Sequence, residues 1–343
     1  MELFGLDRAE LSSICGGLGQ PAFRAKQIAD WLYRKAVRDI ASMTNLPAAM
    51  REGLARTATL TRCEVVAESK APDGTTKYLL KLADGETIES VLLPYADRTS
   101  VCVSTQVGCP AGCVFCATAQ CGFVRNLTAG EIVDQVLTLQ CFDKLSMKSG
   151  QRVTHVVFMG MGEPLMNLDN VVKAVRLLND EVGIGMRRMT ISTVGIPSAI
   201  RGLMLLDLQI TLAVSLHAPD DALRCRLIPI SASHPLAELM QVCREYADFT
   251  KRRITFEYLL LAGVNDSPAQ ASALAKLLHH TLCNVNLIPF NEVAGIPYKR
   301  PSRSAIQAFR AALEQAGIEV TQRMERGQAI SAACGQLRRR HAG

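Results

Sequence analysis

The sequence predicts an α/β protein with a core of parallel βαβ units, and three observations carry that prediction. Strand-length apolar runs recur from about residue 99 onward, helix-length segments separate them, and 343 residues suit one large domain with a smaller appendage. The strand runs are Ser100–Ser104, Val153–Phe158, Met189–Ser192, Thr211–Ser215, Ile254–Leu260 and Val285–Ile288. The helical segments lie near 129–145, 168–180, 197–206, 235–250 and 267–280, with another at 302–316. Six such units form either an open doubly wound sheet or an incomplete (β/α) barrel, and periodicity alone does not choose.

Two regions precede this core. Residues 1–60 read as helical and basic: Phe23–Lys35 places Ile28, Trp31 and Leu32 on one stripe at helical spacing, with Arg24, Lys26, Arg34, Lys35 and Arg38 on or near the segment. Residues 61–95 form a small β extension. Its runs Cys63–Glu68, Lys77–Leu82 and Thr87–Leu93 are separated by the turn signals Pro72-Asp73-Gly74 and Asp84-Gly85. The core then occupies residues 96–343.

Composition bounds the function. Hydrophobic residues at 48% and charged residues at 20% exclude disorder and collagen. The 38 basic against 32 acidic residues give a net charge of +6, too modest by itself to argue for nucleic acid. No apolar run reaches spanning length, since even Leu203–Leu216 is broken by Asp207 and Gln209. The first residues lack a basic region followed by an apolar one, so the expectation is a cytosolic protein. Twelve cysteines are unusual there. In a reducing compartment, clustered cysteines point to metal or redox chemistry, and their spacing decides.

The first core strand is followed by Gly108-Cys109-Pro-Ala-Gly-Cys113-Val-Phe-Cys116, a C-x3-C-x2-C triplet. A structural zinc site wants four protein ligands, and no fourth Cys or His stands at a matching pair spacing. Ferredoxin clusters take four cysteines at other spacings. Three thiolates on a four-iron cube would leave one iron open to a small molecule. Buried apolar cysteines, or a zinc ion borrowing a remote ligand, are the alternatives. Further on, polar groups collect at strand ends: Phe158-Met-Gly-Met-Gly162-Glu163-Pro, Ser192-Thr193-Val-Gly195, Ser215-Leu216-His217 and Pro289-Phe-Asn291. In β/α barrels the carboxyl ends of the strands are where ligands bind.

The triplet at the end of a first β-strand resembles the signature of radical S-adenosylmethionine (SAM) enzymes, whose open iron chelates the amino and carboxylate groups of SAM. Longer segments are similar to one family among them. These are Asp97–Cys109, Cys116-Ala-Thr, Gly122–Val133, Phe158–Pro164, Ser215–Pro219, Glu257–Asp266 and Ala332–Leu337. They resemble the RlmN-type adenine-C2 methyltransferases of 23S rRNA and tRNA, whose C8-methylating relatives are the Cfr enzymes. Arg24–Tyr33 and Met43–Pro47 resemble that family's N-terminal helical, RNA-binding accessory domain. The likeness runs over about residues 5–337. It implies a partial (β/α)6 TIM-like radical SAM barrel with the helical accessory domain and the β extension. It implies a 4Fe–4S cluster on Cys109, Cys113 and Cys116, and SAM held by Gly162, Glu163, Ser192, Ser215, Leu216, His217 and Asn291. The implied partners are 23S rRNA, tRNA and an external electron donor of the flavodoxin or ferredoxin type, for a monomer in the cytoplasm.

The resemblance also implies a mechanism. Cys334 is methylated by one SAM, and a second SAM is reductively cleaved at the cluster. The deoxyadenosyl radical so formed abstracts hydrogen from the S-methyl group, and the carbon radical adds to adenine. That route suits C2, which is electron-poor and no nucleophile toward a methyl sulfonium. Cys102 then attacks Cys334 and leaves a transient disulfide, and Glu89 matches the family's candidate proton acceptor; sequence does not decide between Glu89 and Cys102 for the proton. Without the family, Glu89 reads equally well as a surface residue on a β edge. The chain departs from the family pattern at Arg326-Gly-Gln-Ala-Ile-Ser-Ala-Ala-Cys334, where Ala329 replaces an expected acid. Basic clusters at Arg34/Lys35/Arg38, Arg187/Arg188, Lys251–Arg253, Lys299/Arg300/Arg303 and Arg338–Arg340 are candidate phosphate contacts. The rival functions are a C8-methylating Cfr-type enzyme and a zinc-stabilised RNA-binding module without catalysis.

Overall fold

Strand pairing joins the β extension and the core into one ten-stranded sheet. The computed structural model describes residues 1–142, 152–293, 295–323, 326–327, 330–333 and 335–337. In chain order its strands are β1 (Glu64–Lys70), β2 (Thr76–Lys81), β3 (Thr87–Pro94), β4 (Thr99–Cys102), β5 (Gln106–Gly108) and β6 (Phe123–Asn126). They continue as β7 (His155–Phe158), β8 (Met189–Thr193), β9 (Thr211–Ser215), β10 (Ile254–Leu260), β11 (Cys283–Pro289) and β12 (Val320–Gln322). From β1 to β4 neighbours are antiparallel. From β4 the order continues through β7, β8, β9, β10, β11 and β12, all parallel.

The six expected core strands are therefore adjacent, with β12 added at the edge. Among the described residues β1 and β12 do not pair, so the barrel is partial. Helices Ala129–Phe142, Leu168–Leu177, Pro197–Met204, Leu236–Thr250, Pro268–Leu278 and Arg303–Gln315 connect the strands, close to their expected positions. Parallel strands need such crossovers. The short helix Asp221–Leu227 and the β5/β6 hairpin, which pairs off the main sheet, had no apolar periodicity to announce them.

Both turns of the extension form as their residues require. Asp73 accepts the amide of Thr75 and Gly74 adopts φ +82°, while Asp84 accepts the amide of Glu86. The first helix, Arg8–Gly17, starts at a reciprocal capping box between Asp7 and Glu10. One expected stripe is altered. The helix from Phe23 runs only to Ala29 and widens into a π-turn at Asp30–Arg34. That shift keeps Ile28 and Leu32 buried but leaves Trp31 half-buried, its indole N–H donating to Asn45 and Lys35 lying 3.4 Å from its ring centre.

Arg62 fastens the helical region to the core. Its guanidinium lies over the Phe4 ring, donates to the carbonyl of Val37 and pairs with Asp134 on the first core helix. Asp134 also accepts the amide of Cys63 and the hydroxyl of Thr138, so the pair is buried with its oxygens satisfied. Removing one partner leaves an uncompensated buried charge. Asp134→Ala is expected to lower the unfolding free energy by about 3–5 kcal/mol in urea titrations; a change under about 1 kcal/mol would contradict this account.

Candidate active site at the carboxyl ends of the parallel strands

Parallel pairing fixes which residues meet. Ser192 pairs with Ala213, Ser215 with Glu257, and Glu257 with Asn286, which aligns the ends of β8, β9, β10 and β11. A single cavity, about 1480 Å³ counting its open mouth, lies over these ends. It is lined by Cys102, Cys109, Cys113, Cys116, Gly162, Glu163, Ser192, Ser215, His217 and Asn291. Ten residues from five separate stretches of sequence thus share one wall. Leu216 is the exception: it does not line the cavity, its side chain is in the core, and its amide donates to the carbonyl of Glu257.

The cysteine loop is held at its base by the β5/β6 hairpin. Gly108 has φ +78°, and a Cβ there would stand 1.8 Å from the carbonyl oxygen of Gly122, so only glycine lets the two strands close. The amide of Cys109 donates to that same carbonyl at 3.0 Å, and the amide of Val114 donates to Leu227 at 3.1 Å. Cys113 packs in an apolar cluster with Phe115, Leu223, Leu227, Ile228, Leu259 and Phe290. Burial pushes the Cys109 thiol up to about 12 and Cys113 well above the usual thiol range, and the neighbouring thiols add to both shifts. Thiolates so placed call for a cationic group beside them. All three thiols line one wall of the cavity, a donor set suited to a thiophilic metal centre.

Beside them, Gly162 approaches β5 so closely that a Cβ would meet Gln106 at 2.7 Å, and it adopts φ +108°. The buried Glu163 carboxylate accepts the amides of Leu165 at 2.9 Å and Val194 at 2.8 Å. Burial raises its pKa, and these amides with the Thr193 hydroxyl oppose the rise. A carboxylate at this place suits an ammonium group, whose charge would offset the burial. Ser192 and Thr193 both line the cavity, but the Thr193 hydroxyl accepts the amide of Gly195 at 3.0 Å.

His217 is held in the left-handed region at φ +60°, a costly conformation for a non-glycine residue. Asn265 explains how. Its amide donates to the carbonyls of His217 at 2.8 Å and Leu259 at 2.6 Å, and its oxygen accepts the amide of Leu261 at 2.7 Å. The ring Nδ1 of His217 accepts the amide of Leu259 at 3.1 Å, leaving Nε2 to carry the proton. Phe115, from the cysteine loop, meets the ring edge-on at 5.1 Å.

Glu89 is no surface residue. It is 1% exposed on β3, and its carboxylate pairs with the buried Lys77 of β2 at 3.1 Å. Cys102, on β4, is also buried. Cys334 and Ala329 lie outside the described residues, but Ala333 and Gly335 both line the cavity. Their segment is anchored on two sides. Arg326 donates to the carbonyls of Asp73 and Pro94 and stacks on Tyr95, while the amide of Gly327 donates to Asp73. Beyond, the carbonyl of Gly335 accepts the amide of Ala117 at 2.8 Å and that of Leu337 accepts the Thr118 hydroxyl at 2.6 Å. No disulfide joins two of the described cysteines, and the implied Cys102–Cys334 bond has one partner outside them.

The basic clusters divide by strand end. Arg187/Arg188 and Lys251–Arg253 immediately precede β8 and β10, at the end away from the cavity. Lys299/Arg300/Arg303 follow β11 and lie on the cavity side. Arg338–Arg340 lies outside the described residues.

Comparison with known proteins settles the family. Residues 1–60 match the Ribosomal RNA large subunit methyltransferase N-terminal domain, and residues 103–274 match the Radical SAM superfamily. A probable dual-specificity RNA methyltransferase RlmN of Gloeobacter violaceus is 51% identical over 98% of this chain and 95% of its own. The chain belongs to the RlmN family of radical SAM methyltransferases. The RlmN of Symbiobacterium thermophilum is 50% identical over 98% of this chain and 91% of its own. The crystal structure of a radical SAM methyltransferase from Sphaerobacter thermophilus superposes with a TM-score of 0.93 at 47% identity, covering 98% of this chain and 99% of that one. As a radical SAM protein of the RlmN family, the chain works with a 4Fe–4S cluster and SAM, and the thiol wall described above fits that cluster.

Sequence reasoning missed Asn265 and the buried Arg224, whose guanidinium donates to the carbonyls of Val194 and His234. It also missed Lys77. For His217, burial and the nearby Arg224 lower the pKa to about 3. Between pH 6.5 and 3 the unfolded chain binds a proton there that the folded chain refuses, so this side chain's share of stability falls as pH drops. From pH 7 to pH 5 the loss is about 2 kcal/mol. Urea unfolding at both pH values should show a loss smaller by that amount in His217→Asn, and equal losses in the two proteins would contradict a neutral buried ring.

Proposed function

We propose that this protein methylates C2 of adenine in 23S rRNA and in tRNA, with Cys334 as the methyl carrier. The observation that carries the reading is the convergence of the cysteine triplet, Glu163, His217, Asn291, Cys102 and both neighbours of Cys334 on one cavity. Cys109, Cys113 and Cys116 would hold the 4Fe–4S cluster. Glu163, with Gly162, would hold the amino group of SAM, and Ser192, Ser215, His217 and Asn291 the rest of it. When bound, the cluster supplies the electron that cleaves SAM reductively and starts radical chemistry.

The chain's own groups would do the rest. The apolar wall of Phe115, Leu259 and Phe290 excludes water from the space above the thiols. Glu89 takes the ring proton after the methylene has joined adenine, and Cys102 frees the product from Cys334. The target base must leave its stack to reach the cavity, as enzymes that modify a base require. Arg326, Arg323 and Tyr95 line the cavity and are suited to phosphate and base contacts. The N-terminal helical region would add RNA contacts. The proposal extends to a monomeric enzyme in the cytoplasm, supplied with electrons by a flavodoxin- or ferredoxin-type donor; no described helix is long and apolar enough to cross a membrane. The Glu163-Pro pair and the Gly122–Val133 segment favour C2 over C8.

Mass spectrometry of purified protein is expected to find one methyl group on the peptide carrying Cys334. In Cys113→Ala that methyl and the bound iron should both fall to background, while far-ultraviolet circular dichroism stays that of the wild type. A methyl on another cysteine instead would overturn the assignment of Cys334.

A further inference from the structure

The geometry points to Lys77 as a positioning residue that joins the Glu89 carboxylate to the segment carrying Cys334. The inference rests on the proposed role of Glu89 and deepens it. Lys77 lies on β2 opposite Val91 of β3, and Glu89 is two residues from Val91, so all three side chains share one face of the sheet. Val91 lines the cavity. The ammonium group of Lys77 is 3.1 Å from Glu89 Oε1 and donates to the carbonyl of Ser331 at 3.1 Å. Ser331 is three residues before Cys334. One buried cation thus bonds a residue 12 positions away on the next strand and another 254 positions away in the closing loop.

Lysine is rarely this buried without purpose, because its charge must be paired where water is excluded. Here the pairing has two consequences for the reaction. It gives the Glu89 carboxylate a fixed cationic partner 3.1 Å away where water is excluded, which holds the acceptor oxygens in one place. It also ties the loop backbone at Ser331 to the same ammonium group, so that the carboxylate and the loop share one anchor. Among the described residues the other anchors of the loop reach neither Glu89 nor Cys102: Arg326, Gly327 and Gln336 bond to Asp73, Pro94 and Glu292, and Gly335 and Leu337 bond to Ala117 and Thr118.

The test uses the full, anaerobically reconstituted protein with an rRNA fragment, and compares K77M, K77R, E89Q and the K77M/E89Q double variant. Three quantities are read: methyladenosine formed per enzyme, methylation of Cys334 by mass spectrometry, and protein–RNA adduct on a denaturing gel. K77M should lose about 100-fold in product, the lower end of what a positioned base contributes. It should still carry methyl on Cys334 and should accumulate adduct, because the step that fails comes after the methylene joins adenine. K77R should recover product to within about tenfold. The double variant should be no slower than E89Q by more than about threefold, since the two residues act as a unit. If K77M does not fold, K77Q replaces it, keeping a donor for Ser331 without the charge.

K77M or K77Q with near-wild-type product while E89Q is inactive overturns the inference and leaves the role of Glu89 standing. Near-wild-type product from E89Q overturns the role of Glu89, and with it the inference. Multiplicative losses in the double variant, or loss of product without adduct, show Lys77 to be merely structural and also overturn it.

Discussion

The register of the parallel strands is the constraint on which everything else depends. Each backbone ladder from β4 through β11 fixes a strand against its neighbour, and every carboxyl end then falls on the same side of the sheet. A slip of one residue would turn Ser192, Ser215 and Glu257 to the opposite face. The apolar strand interiors make such a slip costly, because Val156, Ile191, Leu212, Val214, Phe256 and Leu287 would be displaced from a continuous core. Chemistry at the strand ends is thus stabilised by burial some distance away.

Upon that frame the cysteine loop adds a second demand. It leaves the Cys109 and Cys113 thiols in surroundings that raise their pKa values, so that their anionic form calls for a positive charge beside them. Gly108 lets the hairpin close beneath the loop, the helix Asp221–Leu227 receives its backbone, and Phe115 links it to His217. Glu163, after β7, and His217, after β9, each accept backbone amides, of Leu165 and Val194 and of Leu259. Both side chains are therefore oriented by the main chain. The segment from Arg326 to Leu337 is held by both kinds of group: the side chains of Asp73, Lys77 and Thr118, and the backbone of Asp73, Pro94 and Ala117.

How much of this was legible in the sequence follows from the range of each interaction. Local periodicity revealed the six strands and their helices, because apolar alternation is written into neighbouring residues. The triplet was legible because three ligands sit within eight residues. Glu89 and Lys77 were opaque for the opposite reason: a carboxylate on a strand looks the same whether it faces water or a buried ammonium ion. The contact between Lys77 and Ser331 spans 254 residues, and only the fold brings the two together. Asn265 stood inside the Glu257–Asp266 segment with no role of its own, yet its amide holds His217 in a conformation that no local pattern announces. Trp31 was misplaced because a π-turn breaks the 3.6-residue spacing on which the stripe was drawn. Leu216 came in with its neighbours in the Ser-Leu-His run, and strand alternation sends it inward. The basic clusters at residues 187–188 and 251–253 looked alike to the others in charge and differ only in which end of the sheet they occupy.

The central claim is that one cavity carries out radical methylation of adenine carbon in RNA. The most direct measurement is turnover by the anaerobically reconstituted, reduced protein on an rRNA fragment, followed by digestion and identification of the nucleoside by chromatography and mass spectrometry against authentic standards. The account predicts C2-methyladenosine, absent when the reductant or SAM is withheld. C8-methyladenosine as the product, or methylation that persists without reductant, would contradict it.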